Sequence, residues 1–206
     1  MQILTSIVEW INHGGFMMIP LLLSAFVALT VIFERLYLLK KKYHLSHASF
    51  LQIRSALDSG NFQALKNLVQ TADTPITSVL NEGLTYFNSS LDEIERRMKD
   101  EAQRWIPRLE KRLQILDTVI TAAPLMGLLG TITGMMASFQ ILSEKGVNEP
   151  NAITGGVAEA LIATATGLMI ALVCLLAYNY FNALVRDYVQ TIEDTANLVI
   201  EAKLKK

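Results

Sequence analysis

Residues 118–143 read TVITAAPLMGLLGTITGMMASFQILS, a run without one charged side chain. At a rise of about 1.5 Å per residue, a helix of this length exceeds the roughly 30 Å of a bilayer's hydrocarbon core. Charges also vanish over residues 14–33 and 160–185. The sequence therefore predicts an all-α integral membrane protein with three transmembrane helices, placed at residues 14–34, 116–142 and 152–185. Concentration decides this rather than amount, because the 51% of hydrophobic residues would suit a soluble core if they were dispersed.

Basic residues set the expected orientation. Of the 18 Lys and Arg, 13 lie between Arg35 and Arg112, four lie from Arg186 onward, and only Lys145 falls in the short connection between the second and third spans. The positive-inside tendency then makes residues 35–115 a cytoplasmic helical domain and residues 186–206 a cytoplasmic C-terminal helix. It leaves residues 143–151 as a periplasmic loop and residues 1–13 as an external segment. Arg35, Lys40, Lys41 and Lys42 follow the first span directly and are expected to snorkel towards anionic headgroups, making lipid a partner. A net charge of −1, with no strongly basic domain, argues against a nucleic-acid partner.

Residues 1–34 contain no Lys or Arg, so the first span reads as a retained helix rather than a cleaved signal. Ile3, Ile7, Trp10 and Ile11 recur at helical spacing ahead of it, which suits a segment lying at the outer interface or a disordered leader. Cys174, the single cysteine, falls inside the third span and is expected to pack as a small apolar residue. His44 and His47 have a metal-like spacing but no third ligand nearby, so they read as surface residues and no metal site is expected.

In the region after the first span, Leu51, Ile53, Leu57, Phe62, Leu65, Leu68 and Val69 recur in a helical rhythm broken near residues 58–61. Thr74-Pro75 opens a further helix carrying Ile76, Val79, Leu80, Leu84 and Phe87, and Asn88-Ser89-Ser90 ends it and caps the next. From Leu91 to Leu116 no glycine intervenes, so one long helix is expected to run into the second span, with Pro107 as its candidate kink.

Within the second span Gly127, Gly130, Thr131, Gly134 and Ser138 fall three or four residues apart on one helix side, where small residues let neighbouring helices approach. They do not form a phosphate loop, since no Lys follows and no strand precedes. Thr131 has two open readings, a hydroxyl bonded back to its own helix and a hydroxyl lining a pore. The third span has a small stripe of Ala160, Thr164, Gly167 and Ala171. It also carries Glu159, the one carboxylate expected inside the membrane region. A charge at a helix centre costs about 2.5–3.5 kcal/mol on insertion scales, so it must face a bundle interior or water unless it sits at the interface. Glu159 and Thr164 are five residues apart and point about 140° apart around the helix. Both cannot line one wall of a pore. Thr164 is assigned the lumen side and the direction of Glu159 stays open.

The runs Ala122-Ala123-Pro124-Leu125-Met126-Gly127-Leu128-Leu129-Gly130-Thr131 with Gly134, and Glu159-Ala160-Leu161-Ile162-Ala163-Thr164-Ala165 with Gly167-Leu168, resemble the MotA/TolQ/ExbB proton-channel family. Tyr178-Asn179, the Glu34-Arg35 junction and the order of the spans extend the resemblance over most of the chain. Three spans place it nearer ExbB and TolQ than MotA. The resemblance implies a homopentamer in the bacterial inner membrane, with the second and third helices around a central pore. It also implies an ExbD- or TolR-like single-span partner whose membrane Asp carries the proton, and a TonB- or TolA-like protein beyond it. Thr131 and Thr164 match the family's pore threonines, and Glu159 its third-span glutamate. No cofactor is implied other than the transported proton. One departure is Val173, where many relatives carry a proline; it puts the local helix bend and the subfamily in question.

The expected function is thus a subunit of an ExbB-ExbD-like motor energising TonB-dependent outer-membrane transport, with a TolQ-like envelope-maintenance motor as the alternative. From other classes, a self-sufficient channel would need more polar lining than Thr131, Ser138, Thr164, Thr166 and Glu159 supply. A passive scaffold would tolerate replacement of Thr131, Thr164 and Glu159. No arrangement of residues points to an enzyme.

Overall fold

The apolar run after Gly15 forms α1 (Met18–Tyr37), which continues as a π-helical turn over Leu38–Lys42. The computed structural model describes residues 15–43, 47–71, 74–145 and 150–205. After α1 come α2 (His47–Asp58), α3 (Phe62–Thr71), α4 (Pro75–Thr85), α5 (Leu91–Glu110), α6 (Leu113–Lys145) and α7 (Pro150–Leu204). The expected external segment at residues 1–13 lies outside the described residues, as do residues 146–149 of the connection between α6 and α7. The chain divides into two units, one of residues 1–32 and 112–179, the other of residues 33–111 and 180–206.

In the first unit, α1 turns Met18, Leu21, Ala28 and Val31 inward and leaves Ile19, Leu23 and Phe26 more than 60% exposed. Its hydroxyls fold back on their own helix, Ser24 donating 2.7 Å to the Leu21 carbonyl and Thr30 2.8 Å to that of Phe26. Neither hydroxyl is thereby left to face hydrocarbon unsatisfied. Leu125 and Met136 on α6 and Leu161 and Leu176 on α7 are equally exposed. Among the described residues three helices are long and apolar enough to cross a membrane, and their most apolar windows are only 22–28% buried by the chain itself. Apolar surface on that scale, on helices apolar all round, is a lipid-facing or subunit-facing surface.

The second unit folds as its turn chemistry dictates. Gly60 adopts φ +68° at the break between α2 and α3, a left-handed turn that glycine enters without strain. The Asn61 side chain then accepts from the Ala64 N–H at 3.2 Å and starts α3. Thr74 and Thr77 form a reciprocal capping box, with Pro75 at the first helical position of α4. Ser90 accepts from the Glu93 N–H at 3.3 Å to cap α5. Ile53, Leu57, Leu65, Ile76, Leu80, Phe87, Ile94 and Met98 make the core together with Ile192 and Val199 of α7. The stretch from residue 186 to Leu204, expected as a cytoplasmic C-terminal helix, is the continuation of α7 and contributes to this core. On the outer face of α5, the Arg97 and Arg96 guanidiniums hold the Glu93 carboxyl below its ordinary pKa. The stabilisation from this exposed cluster is present above the ordinary carboxylate pKa and is lost on acidification.

Two expectations need correction. The long helix expected from Leu91 into the second span is broken, because α5 passes through Pro107 and ends at Glu110. Lys111 turns out of the helix and Arg112 takes φ +65°. Leu109 and Leu113 are both buried on either side of the break. Arg35, expected to snorkel to headgroups, is instead 1% exposed. It donates to the carbonyls of Arg108 at 3.2 Å and Leu109 at 3.4 Å. These two facts explain one another. A helix end leaves its last carbonyls without intrahelical partners, and a guanidinium beside them satisfies the carbonyls and complements the negative end of the dipole.

Candidate functional site

The crossing of α6 and α7 in the first unit is built from residues that lack bulk. A Cβ placed on Gly127 would stand 3.0 Å from the Ala163 carbonyl oxygen and 3.0 Å from the Thr164 Cα. On Gly130 it would stand 2.6 Å from the Ala163 Cβ and 3.4 Å from that of Met17, just ahead of α1. On Gly134 it would meet the Gly156 carbonyl at 3.0 Å and the Ala160 Cβ at 3.2 Å. Gly167 faces the Ala123 carbonyl and lies against Gly127. Helix backbones therefore touch directly, which is how spans associate when apolar burial gives no driving force against lipid. Along α7 the buried small side chains are Ala160, Ala163, Ala171 and Cys174. Ala163 was not singled out from the sequence, although its place between Ala160 and Gly167 at helical spacing is the signal that finds it.

The hydroxyls sit within this crossing. Thr164 donates 2.9 Å across to the Gly127 carbonyl of α6. Thr131, one turn along α6 from Gly127, donates 2.6 Å to the Leu128 carbonyl of its own helix. Ser138 is buried and donates 3.1 Å to the Gly134 carbonyl. Each threonine is half-buried in the single chain. A threonine hydroxyl donates one hydrogen and keeps acceptor capacity, so it can pass a proton along a chain of partners but cannot store one. No Asp occurs in residues 118–143 or 160–185.

Glu159 is half-buried and its carboxylate packs against Gly15, in the turn that leads into α1. Thr164 and Glu159 are thus not brought together. One bonds to α6 and the other meets the entrance of α1, as their separation around α7 requires. In the second unit, the exposed Lys40 ammonium lies 5.3 Å from the centre of the Tyr180 ring and that of Lys41 5.6 Å from the Tyr37 ring. The Lys42 side chain and His44 lie outside the described residues. Tyr188 donates its hydroxyl to the Leu39 carbonyl at the π-helical turn. Burial, with Tyr180 nearby, pushes its pKa up to about 12. Nothing in the sequence marks Tyr188, because its partner is 149 positions away.

Comparison with known proteins gives a consistent result. The profile of the MotA/TolQ/ExbB proton channel family matches residues 71–194, more than half of the chain. An ExbB-like biopolymer transport protein of Synechocystis sp. is 31% identical over 188 residues, covering 90% of each chain. The biopolymer transport protein ExbB of Aquifex aeolicus is 44% identical over 79 residues, 38% of this chain and 53% of that protein. The Tol-Pal system protein TolQ of Haemophilus influenzae is 37% identical over 108 residues, 50% of this chain and 47% of that one. Those matches, three membrane-length apolar helices and the glycine-lined crossing of α6 and α7 agree that this multi-pass membrane protein belongs to the MotA/TolQ/ExbB proton channel family.

Proposed function

We propose that the chain is the channel-forming subunit of an ExbB-ExbD-like motor in the bacterial inner membrane, where the proton motive force energises TonB-dependent transport across the outer membrane. The observation that carries this reading is the α6–α7 crossing, with Thr164 of α7 donating to the Gly127 carbonyl of α6, Thr131 one turn further along α6, and no Asp in residues 118–143 or 160–185. In this reading five copies surround a pore holding single-span partners of the ExbD or TolR kind. The partner's membrane Asp stores the proton, the threonine hydroxyls relay it, and a TonB- or TolA-like protein receives the work. Each charge crossing 100 mV supplies about 2.3 kcal/mol for turning one chain against the other. The N-terminus lies in the periplasm and the Arg- and Lys-rich unit in the cytoplasm, consistent with the distribution of basic residues. The chain catalyses no bond chemistry and needs no cofactor or metal.

A second reading, a TolQ-like subunit of an envelope-maintenance motor, is supported by the 37% identity to the Haemophilus influenzae TolQ over residues that include half of this chain. The two readings share the pore chemistry and differ in the partner. Replacing Thr164 with valine keeps the shape and removes the hydroxyl, so the complex should still assemble while proton-driven work falls by about tenfold, less than the roughly 100-fold or more of a positioned acid or base because a hydroxyl relays the proton without storing it. Proton flux into vesicles and a complementation assay for uptake would measure it. Full activity of Thr164→Val together with Thr131→Val would remove the relay from the account.

A further inference from the structure

Gly15 is pinned by two independent features. Its φ of +68° lies in the left-handed region, and a Cβ there would fall on Oε1 of Glu159, 2.6 Å from its Cδ and 3.1 Å from its Cγ. The same residue opens the first span, since its carbonyl accepts from the Met18 N–H at 3.0 Å while the Phe16 carbonyl accepts from Ile19 at 3.2 Å. A carboxylate on a membrane helix needs a polar setting, and the N-terminal end of α1 presents the positive end of a helix dipole. Thr164 is directed at α6, about 140° away around α7. We infer that Gly15 is a positioning residue for Glu159, keeping its carboxylate docked at the entrance turn of the first span and away from the threonine pair. Glu159 thereby ties α7 to α1 inside one chain, and any side chain at position 15 displaces it.

The functional arm of the test rests on Glu159 belonging to the proton-driven site; the structural arm does not. In the whole complex, the pair Gly15→Cys with Glu159→Cys should form a disulfide within one chain on mild oxidation. The Glu159 Cβ is one carbon–carbon bond beyond a Cγ at 3.1 Å, close to the Cβ separation of about 3.8 Å that a disulfide bridges. Peptide mapping that finds both thiols free in the assembled complex overturns the inference. A second measurement covers a cysteine pair that does not assemble. The infrared band of the Glu159 carboxylate, identified by its loss in Glu159→Gln, should shift in Gly15→Ala and stay in place in Gly155→Ala, where an added Cβ meets nothing within 4 Å. An unmoved band in Gly15→Ala overturns the inference even if proton-driven work is unaffected. Activity should fall about fivefold in Gly15→Ala and in Glu159→Gln and no further in the double variant, as for two residues acting through one contact. A shifted band with full activity keeps the docking and removes Glu159 from the proton-driven site.

Discussion

Tyr188 shows how much one residue can carry. Its ring is 8% exposed and its hydroxyl holds the Leu39 carbonyl, so Tyr188→Phe should cost about 1–3 kcal/mol by leaving a buried acceptor without its donor. The raised pKa fixes the sign of the pH effect. The stabilisation is fully present below the ordinary tyrosine pKa of 10 and is lost as the pH rises to about 12. Thermal unfolding of the detergent-solubilised protein should show the gap between wild type and Tyr188→Phe closing across that window. A gap that stays constant from pH 9 to beyond the folded pKa would contradict it. Arg112 tests the break between α5 and α6 in the same way. At φ +65°, Arg112→Gly and Arg112→Val both remove the side chain, and the glycine variant should be the more stable by about 1–2 kcal/mol. Equal stabilities would mean that the left-handed turn is absent in solution. Neither residue was legible in the sequence. Arg112 is not a residue type that marks a left-handed turn, and Tyr188 has a partner far along the chain. Thr131, Thr164 and Glu159 could be picked out because hydroxyls and a carboxylate stand out against charge-free surroundings.

Elements were more legible than residues where a local signal exists. The capping of α4 by Thr74 and of α5 by Ser90, and the break near Gly60, follow from side chains adjacent to the backbone groups they satisfy. The end of α5 was not foreseen, because the group that accommodates it, Arg35, lies 73 positions from Arg108. The small-residue stripe of α6 gives the most direct element-scale prediction. Gly127→Val would push a branched side chain into the Ala163 carbonyl and the Thr164 Cα, both 3.0 Å from its Cβ. α6 and α7 should then separate, with loss of the Thr164–Gly127 hydrogen bond and a destabilisation of about 3 kcal/mol or more from overpacking. Gly155→Ala, with open space around it, should be neutral to slightly stabilising. Steric-trap or thermal-shift measurements in detergent would separate the two. Matching stabilities would refute the close helix approach.

At the scale of the whole molecule, three charge-free runs announced three spans, and three helices of that length and character stand among the described residues. What the sequence could not show was that the end of α7 shares a core with α2 to α5, since Ile192 and Val199 look like any apolar positions on a long helix. Their burial means that truncation after residue 185 should unfold the second unit instead of trimming a tail. The exposed apolar faces of α1, α6 and α7 need cover from lipid or from another protein surface. We propose that this chain works as a pore-forming subunit around a companion that supplies the membrane Asp. Native mass spectrometry of the complex, extracted gently from its own membrane with lipids still bound, tests that claim most directly. The account predicts five copies of this chain retaining a small single-span companion. A stable assembly that carries its lipids but no companion would contradict it.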